Sequence, residues 1–286
     1  VTSQFEKTAV LLNIGSMMDL SWIEAYGDRL SAVLLVWQGG MESGNAAADL
    51  LCGTVSPCGK LTDTVVRAYD SYPSSGCFGG RAYNHYEEDI YVGYRWFETF
   101  QKDAVLYPFG YGLSYASFSV SFDRAECTTD GIVLTCTVSN TDGRFGGKEA
   151  VQVYLEKPCG SLGNPARILA GFAKTKLLAP GESQQLSITV PFERLSSYDD
   201  SGRTGHRSAY VVEKGSYGFA LGTSVRDAER VWEYVQEKTV VFEQLQEVAA
   251  PKEAFSIFVA KESNGVRIPV KEAVHTCSID LKQMIL

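Results

Sequence analysis

Residues 107–115 read Tyr-Pro-Phe-Gly-Tyr-Gly-Leu-Ser-Tyr and separate two regions of the chain that differ in sequence pattern. Gly110 and Gly112 alternate with aromatic residues in this stretch. A glycine between rings indicates a backbone that passes close to another surface, where a Cβ atom would collide. The stretch therefore predicts a seam at which one domain is joined to the next.

The region before the seam has the pattern of an α/β layer. Residues 8–14 and 32–37 are continuous apolar runs, each followed closely by glycine. Because neither run alternates with polar residues, both predict strands of a parallel sheet with two buried faces. Residues 17–30 and 42–53 have the spacing and end signals of helices. The order predicts a partial doubly wound layer, and since two strands are too few for a stable sheet, we expect more of it elsewhere.

The region after the seam has a different pattern, with short alternating runs separated by turn residues. About seven such strands over roughly a hundred residues are typical of an immunoglobulin-like or fibronectin type III sandwich. The predicted strands are residues 118–122, 131–139, 150–156, 168–176, 184–190, 209–212, 216–221 and 231–242. The predicted fold class is therefore α/β plus all-β. One further strand-like run, residues 254–260, lies in the tail.

The composition argues against two classes of partner. The net charge of −8 disfavours nucleic acid, because no cluster of Lys and Arg is available to neutralise phosphates. No apolar run approaches the length of about 20 residues that a membrane-spanning helix needs. We therefore expect neither a nucleic acid nor a membrane as a partner.

The cysteines bear on the cellular compartment. Seven cysteines are an odd number in a chain too large to need disulfides for stability, and free thiols favour a reducing compartment. No Asn-x-Ser/Thr glycosylation sequence occurs. We expect a bacterial cytoplasmic protein, and secretion stays open as the alternative.

Common catalytic motifs are incomplete in this chain. Residues 53–61 approximate a phosphate-binding loop, but the spacing is one residue too long and Leu61 replaces the required Ser or Thr. The three histidines are far apart and have no metal-ligand spacing with the cysteines. A serine hydrolase elbow is also missing. We expect no cofactor and no metal site.

Clustered carboxylates are more serious candidates, because glycoside hydrolysis needs two of them. Glu87, Glu88 and Asp89 are adjacent, but neighbours on a strand point to opposite faces and rarely act as a pair. For Asp89 we favour a buried ion pair, and for Glu42 a structural role at a helix start.

Residues 77–86 form a predicted loop rich in aromatic and polar side chains. Aromatic faces in such a loop can stack on pyranose rings, so His85 and Tyr86 are our candidate residues for a substrate rim. The alternative, an ordinary surface loop, stays open.

Several motifs in order resemble glycoside hydrolase family 3. Residues 38–51 resemble its "G-x-E-x-G-N-A-x-A-D-V-L-x-G" segment, and residues 86–97 its "Y-x-E-G/D-I-Y-V-G-Y-R-Y-F" segment. Residues 109–115 match "F-G-Y-G-L-S-Y". Residues 56–61, 148–154 and 169–174 resemble further segments of the family. The β-glucosidase branch fits best, because a fibronectin-like domain is typical of it.

The resemblance implies a retaining, exo-acting β-glucosidase that acts on β-linked oligosaccharides or glucosides. In the family an Asp nucleophile lies in a (β/α)8 barrel and a Glu acid/base lies in the α/β sandwich. Neither residue maps onto this chain, so we expect both catalytic carboxylates outside it. The alternatives are β-xylosidase or another exo-glycosidase of the family, and a non-catalytic carbohydrate-binding or scaffolding fibronectin-like module.

The resemblance also implies a domain plan. Residues 1–113 would be the C-terminal half of the α/β sandwich and residues 114–243 the fibronectin type III-like domain. Residues 244–286 would be a tail that leads into a barrel, as in members with reversed domain order, and the residues from Ser278 on resemble a helix start. The expected partners are the remaining segments of the enzyme and its glycoside substrate, and a homo-oligomer stays open.

Overall fold

A computed structural model describes residues 1–247 and 250–276. In its first region β1 (Ala9–Leu12) and β2 (Ala32–Leu35) pair in parallel, as predicted, with Ala9 opposite Ala32. The connecting helix α1 (Trp22–Tyr26) is shorter than predicted, because the chain turns at Gly27 with a φ of 49°. Helix α2 (Ser43–Leu51) agrees with the sequence pattern and ends before Gly53, whose φ is 73°.

The apolar faces of β1 and β2 are open in this chain. The pattern predicts strands buried on both faces, but β1 alternates between exposed and half-buried residues. Leu11, for example, is 41% exposed. Among the described residues this sheet contains only the two strands, so no further strand extends it on either side.

The core of the first region is built by α3 (Tyr94–Phe100) and the short antiparallel pair β3 (Val65–Val66) and β4 (Val105–Tyr107). Its buried side chains include Tyr91, Trp96 and Phe97. Cys159 of the second region and Ala260 of the tail belong to the same cluster. Three separate parts of the chain therefore share one core.

The second region is the predicted antiparallel sandwich. The strands of its two sheets are β5 (Phe118–Cys127), β6 (Gly131–Asn140), β7 (Ala150–Glu156), β8 (Ile168–Lys174), β9 (Ser183–Pro191), β12 (Gly215–Gly222) and β13 (Glu229–Gln236). One sheet has the order β5-β6-β9 and the facing sheet the order β13-β12-β7-β8. Alternate residues such as Leu134, Val153 and Phe219 point between the sheets and are fully buried. The fold class is confirmed.

The third sheet of the second region is small and consists of β10 (Ser197–Asp199), β11 (Ala209–Val212) and β14 (Val240–Gln244), in the order β10-β11-β14. The predicted single strand over residues 231–242 is in fact two strands, β13 and β14. They separate because β13 pairs with β12 in the sandwich, whereas β14 pairs with β11.

The stretch at residues 107–115 contacts both regions. On one side the amide of Gly110 donates to the carbonyl oxygen of Leu61 at 2.7 Å. On the other side the amide of Val225 donates to the carbonyl oxygen of Phe109 at 3.0 Å. A Cβ atom on Gly112 would collide with the carbonyl oxygen of Gly59, which explains the second glycine.

The tail forms a hairpin of β15 (Ser256–Ser263) and β16 (Val266–Ala273) in place of the one strand that was predicted. Its turn is Asn264-Gly265, with φ values of 52° and 75°, the combination that a type I′ hairpin turn requires. The predicted helix start from Ser278 lies outside the described residues. No helix in the described ranges is long and apolar enough to cross a membrane.

Candidate functional site

The carboxylates named from the sequence have separate structural surroundings. Glu87 forms a salt bridge with Lys271 of the tail, with 2.6 Å between Oε2 and Nζ. Glu42 precedes α2 and accepts a hydrogen bond from the Asn45 side chain at 2.6 Å. The Glu42 contact agrees with the structural role that the sequence favours for this residue.

Asp89 differs from its prediction. Residues 87–89 lie in a turn and not on a strand, and Asp89 has a left-handed φ of 47°. Asp89 is exposed, and within residues 1–247 and 250–276 it forms no salt bridge, so the expected buried ion pair is wrong. The buried residue of this turn is Tyr91, whose hydroxyl donates to the carbonyl oxygen of Gly163 and accepts from the Ala260 amide at 2.7 Å.

The predicted rim residues lie on the loop before that turn, and both are exposed. The His85 ring stacks on Phe255 of the tail, with 4.9 Å between ring centroids and 14° between planes. One face of His85 is therefore occupied by protein. Tyr86 is 72% exposed and has free surface for a ligand.

A groove at the carboxyl ends of β1 and β2 is the other candidate site. It has a volume of about 670 Å³, and its lining residues are Gly15, Ser16, Met17, Trp37, Thr62 and Asp63. Ligands of open α/β sheets bind at this edge. The site was missed from the sequence, although the positions of Gly15 directly after one predicted strand and of Trp37 at the end of the other are the signal that locates it.

The backbone at this groove is held in an uncommon conformation. Trp37 has a φ of 51°, and its carbonyl oxygen accepts a hydrogen bond of 2.7 Å from the Asn13 side chain. A Cβ atom on Gly15 would lie 2.9 Å from the amide nitrogen of the Gln38 side chain. The ends of the two strands are thus tied together, and the groove does not include His85 or Tyr86. In the part of the chain that is described, no group of three or more His, Cys, Asp and Glu side chains could hold a metal ion.

Two family descriptions match the chain in the order of its two regions. Residues 1–115 match the glycosyl hydrolase family 3 C-terminal domain, and residues 149–225 match a fibronectin type III-like domain. The chain belongs to glycosyl hydrolase family 3. The resemblance stated from the sequence motifs is confirmed.

The family 3 chain is similar to several proteins named as β-glucosidases. A β-glucosidase of Ruminococcus albus is 47% identical over 91% of this chain and 27% of its own length. β-Glucosidase A of Butyrivibrio fibrisolvens is 44% identical over 88% of this chain and 32% of its length. The chain thus spans less than a third of the length of these relatives.

Solved structures agree with this placement in the family. The crystal structure of a β-glucosidase from Paenibacillus barengoltzii superposes with a TM-score of 0.95 at 47% identity, over 99% of this chain and 32% of that chain. β-Glucosidase 3B of Thermotoga neapolitana in complex with α-D-glucose superposes with a TM-score of 0.75 at 36% identity, over 84% and 33%. The fold described above is therefore shared with β-glucosidases over nearly its full extent.

Proposed function

We propose that this chain is part of a retaining, exo-acting β-glucosidase that removes terminal β-linked glucosyl residues from oligosaccharides or glucosides. The observation that carries the proposal is the likeness to the Paenibacillus barengoltzii β-glucosidase, at 47% identity over 99% of this chain. The open faces of β1 and β2 further support a role as one portion of a larger enzyme, because apolar strands of a parallel sheet need cover.

In this proposal the bond-breaking carboxylates belong to other segments of the enzyme. An Asp attacks the anomeric carbon and forms a glycosyl-enzyme, and a Glu protonates the leaving oxygen. The same Glu then takes a proton from the water that releases the sugar. Neither role is assigned to Glu42 or Glu87. Asn45 donates a hydrogen bond to Glu42, and Lys271 forms a salt bridge with Glu87.

We keep His85 and Tyr86 as proposed rim residues for the sugar. Tyr86 has the more accessible ring, whereas the contact with Phe255 ties the His85 ring to the tail. We expect Tyr86→Ala in the complete enzyme to raise KM for a β-glucoside with little change in kcat. A lower kcat at unchanged KM would contradict a role in binding at the rim.

The proposed function is tested with a chimera. In the Paenibacillus barengoltzii β-glucosidase, the portion that matches this chain is replaced by residues 1–286, and turnover of 4-nitrophenyl β-glucoside and β-xyloside is measured. We expect no turnover by this chain alone, and turnover of the glucoside in preference to the xyloside by the chimera. Robust turnover by the isolated chain would overturn the placement of the catalytic groups.

Two variants of the chimera serve as controls. Glu42→Gln and Glu87→Gln should retain most of the activity, because both carboxylates have structural partners. A loss of about a thousandfold or more in kcat for either variant, the size seen when a group central to catalysis is removed, would assign that carboxylate to catalysis instead.

We propose a cytoplasmic location because the cysteines of the described residues are free thiols. Six cysteines are free in the described ranges, and Cys52 and Cys127 among them are exposed. Exposed free thiols persist in a reducing compartment. Alkylation of the native protein in a fresh cell lysate should label both, and their recovery as oxidised thiols would argue for secretion.

A further inference from the structure

A cavity of about 550 Å³ lies where the first region, the third sheet and the tail meet. Asp89 and Arg95 line it from the first region, Tyr198 and Tyr210 from β10 and β11, and Phe258 from β15. Pockets of this size hold small organic ligands, and ligand-binding pockets combine apolar walls with a few convergent polar groups.

Two tyrosines at the cavity supply exposed aromatic surface. Tyr198 and Tyr210 lie directly opposite each other on β10 and β11, so their side chains share one face of the small sheet. Their ring centroids are 5.3 Å apart, and each residue is 38% exposed. The negative face of an aromatic ring attracts the slightly positive C–H groups of a pyranose ring.

Carboxylate and guanidinium groups stand beside the tyrosines. Asp89, Asp200 and Arg203 all line the cavity. The cavity walls exclude part of the solvent around the Asp89 carboxyl, and this desolvation raises the pKa of Asp89. Its left-handed backbone is a form of strain that clusters at ligand sites.

Hydrogen bonds and an ion pair hold the loop that carries Asp200 and Arg203. The buried carboxylate of Asp199 accepts hydrogen bonds from the amides of Gly202 at 2.7 Å, Arg203 at 2.9 Å and Thr204 at 2.7 Å. The Arg203 guanidinium is also held by Glu272 of the tail at 2.9 Å. A site whose groups are fixed in advance loses less conformational entropy when it binds.

Hydrogen bonds also fix the floor of the cavity. The amine of Lys157 donates to the Ser197 hydroxyl at 3.0 Å and to the carbonyl oxygen of Ser196. The Ser197 hydroxyl in turn donates to the Asn164 side chain at 2.6 Å. These groups satisfy one another, which leaves the tyrosines and the groups of the rim to meet a ligand.

The charges and hydrogen-bonding groups of the cavity lining indicate which class of ligand it binds. The carboxylates of Asp89 and Asp200 balance the guanidinium groups of Arg95 and Arg203, so a strongly charged ligand finds little net attraction. Donors and acceptors stand side by side, and hydroxyl groups can satisfy both kinds. We propose that this cavity binds a neutral pyranose sugar, with the ring against Tyr198 and Tyr210 and its hydroxyls on Asp89, Asp200 and Arg203. The inference does not depend on the proposed hydrolytic activity.

The test is a binding experiment on the 286-residue chain. Cellobiose and D-glucose are titrated separately into the protein, and binding is followed by saturation-transfer NMR and by the shift in melting temperature. We expect a Kd on the order of 1 mM for at least one of the two sugars. For Tyr210→Ala and for Asp200→Ala we expect that Kd to rise by at least about tenfold, a loss of about 1.4 kcal/mol.

Matched variants distinguish the contribution of the Tyr210 ring to binding from that of its hydroxyl. They also distinguish binding in the cavity from binding elsewhere on the surface. Tyr210→Phe should retain the affinity within about twofold, because it keeps the ring face. Phe172→Ala removes a 70% exposed aromatic residue outside the cavity and should leave binding unchanged. Circular dichroism checks that each variant is folded.

Three outcomes would overturn the proposal. They are the absence of binding by both sugars, equal affinity in Tyr210→Ala, and tighter binding of acetate or phosphate than of the sugars. None of them would affect turnover by the chimera, so a failure of this inference is distinguishable from a failure of the proposed function.

Discussion

At the scale of single residues, Gly112 illustrates how a missing Cβ atom lets two segments pack. Its backbone lies against the carbonyl of Gly59, and the Lys60 amine donates to its carbonyl oxygen at 3.4 Å. The Lys60 amine also forms a salt bridge of 2.8 Å with Glu149 of the sandwich. The glycine–aromatic stretch therefore brings together backbone contact and an ion pair between the regions.

We predict that Gly112→Ala lowers the free energy of unfolding by about 2 kcal/mol, because the new methyl group forces two backbones apart. Urea denaturation followed by circular dichroism measures the change. Gly143→Ala is the matched control, since a Cβ atom there meets nothing within 4 Å. Equal stability of the two variants would contradict the close approach at Gly112.

A second prediction concerns Lys157, which is 5% exposed. Burial, followed by the charges of Arg95 and Arg194, lowers the pKa of its amine to about 7 from 10.5. Between these values the unfolded chain keeps a proton that the native state has released. The free energy of unfolding therefore rises with pH in this window, by up to about 1.4 kcal/mol per pH unit from this group, and the contribution levels off below pH 7.

Urea denaturation at about pH 7 and about pH 9 tests this pH dependence. The rise in the free energy of unfolding should be smaller in Lys157→Met than in the wild type, because the variant lacks the contribution of the Lys157 amine. The other titrating groups contribute equally in both proteins. Lys176→Met, at a side chain that is 61% exposed, should keep the wild-type slope. A Lys157→Met variant with the wild-type slope would refute the lowered pKa.

At the scale of elements, the tail hairpin acts as a strap between the two regions. Phe258 of β15 packs edge-on against Trp96 of α3, with 4.8 Å between ring centroids. Arg267 of β16 donates to the carbonyl oxygens of Lys157 at 2.6 Å and Asn164 at 3.0 Å, both in the sandwich region. The hairpin thus holds α3 and the sandwich at the same time, which a flexible linker would not do.

We predict that Phe258→Ala destabilises the protein by about 2 kcal/mol, through the lost packing of a partly buried ring. Amide hydrogen exchange should accelerate in residues 256–263 and in the turn at residues 87–91, because the Phe258 amide donates to the Glu87 carbonyl oxygen at 2.8 Å. Val266→Ala, at a residue of the same hairpin that is 61% exposed, should change neither measurement. Unchanged exchange in the turn would rule out the strap.

At the scale of the whole molecule, the main feature of the surface is the open apolar faces of β1 and β2. Leu11 is 41% exposed on a strand whose composition suits a buried parallel sheet. Exposed apolar surface of this kind marks an interaction site. We expect these faces to be covered in the complete enzyme.

We predict that Leu11→Asp reduces the binding of a hydrophobic dye by the isolated chain and lowers the activity of the chimera at least about tenfold, because a charge would be buried at the joint. Leu177→Asp is the control, since Leu177 is 62% exposed on the sandwich side and should affect neither readout. Full activity of the Leu11→Asp chimera would show that this face stays open.

The sequence alone predicted the features that depend on local periodicity and turn chemistry. Alternation in residues 184–190 predicts β9, and the glycines at 110 and 112 predict a close backbone approach. The hairpin was only half predicted, although Asn264-Gly265 is a strong turn signal. The turn at Asp89 was predicted as a strand because adjacent charged and apolar residues carry no clear period.

What the sequence by itself determined is therefore the family, the fold class and most of the strands, since these follow from motifs and patterns within short windows. Only the tertiary structure decided which distant groups meet. The Tyr91 hydroxyl bonds the Ala260 amide across 169 residues, and Asp89 reaches the cavity beside Tyr210. Such contacts depend on how whole elements pack against one another, because the side-chain pattern of one segment does not specify the partner that buries it.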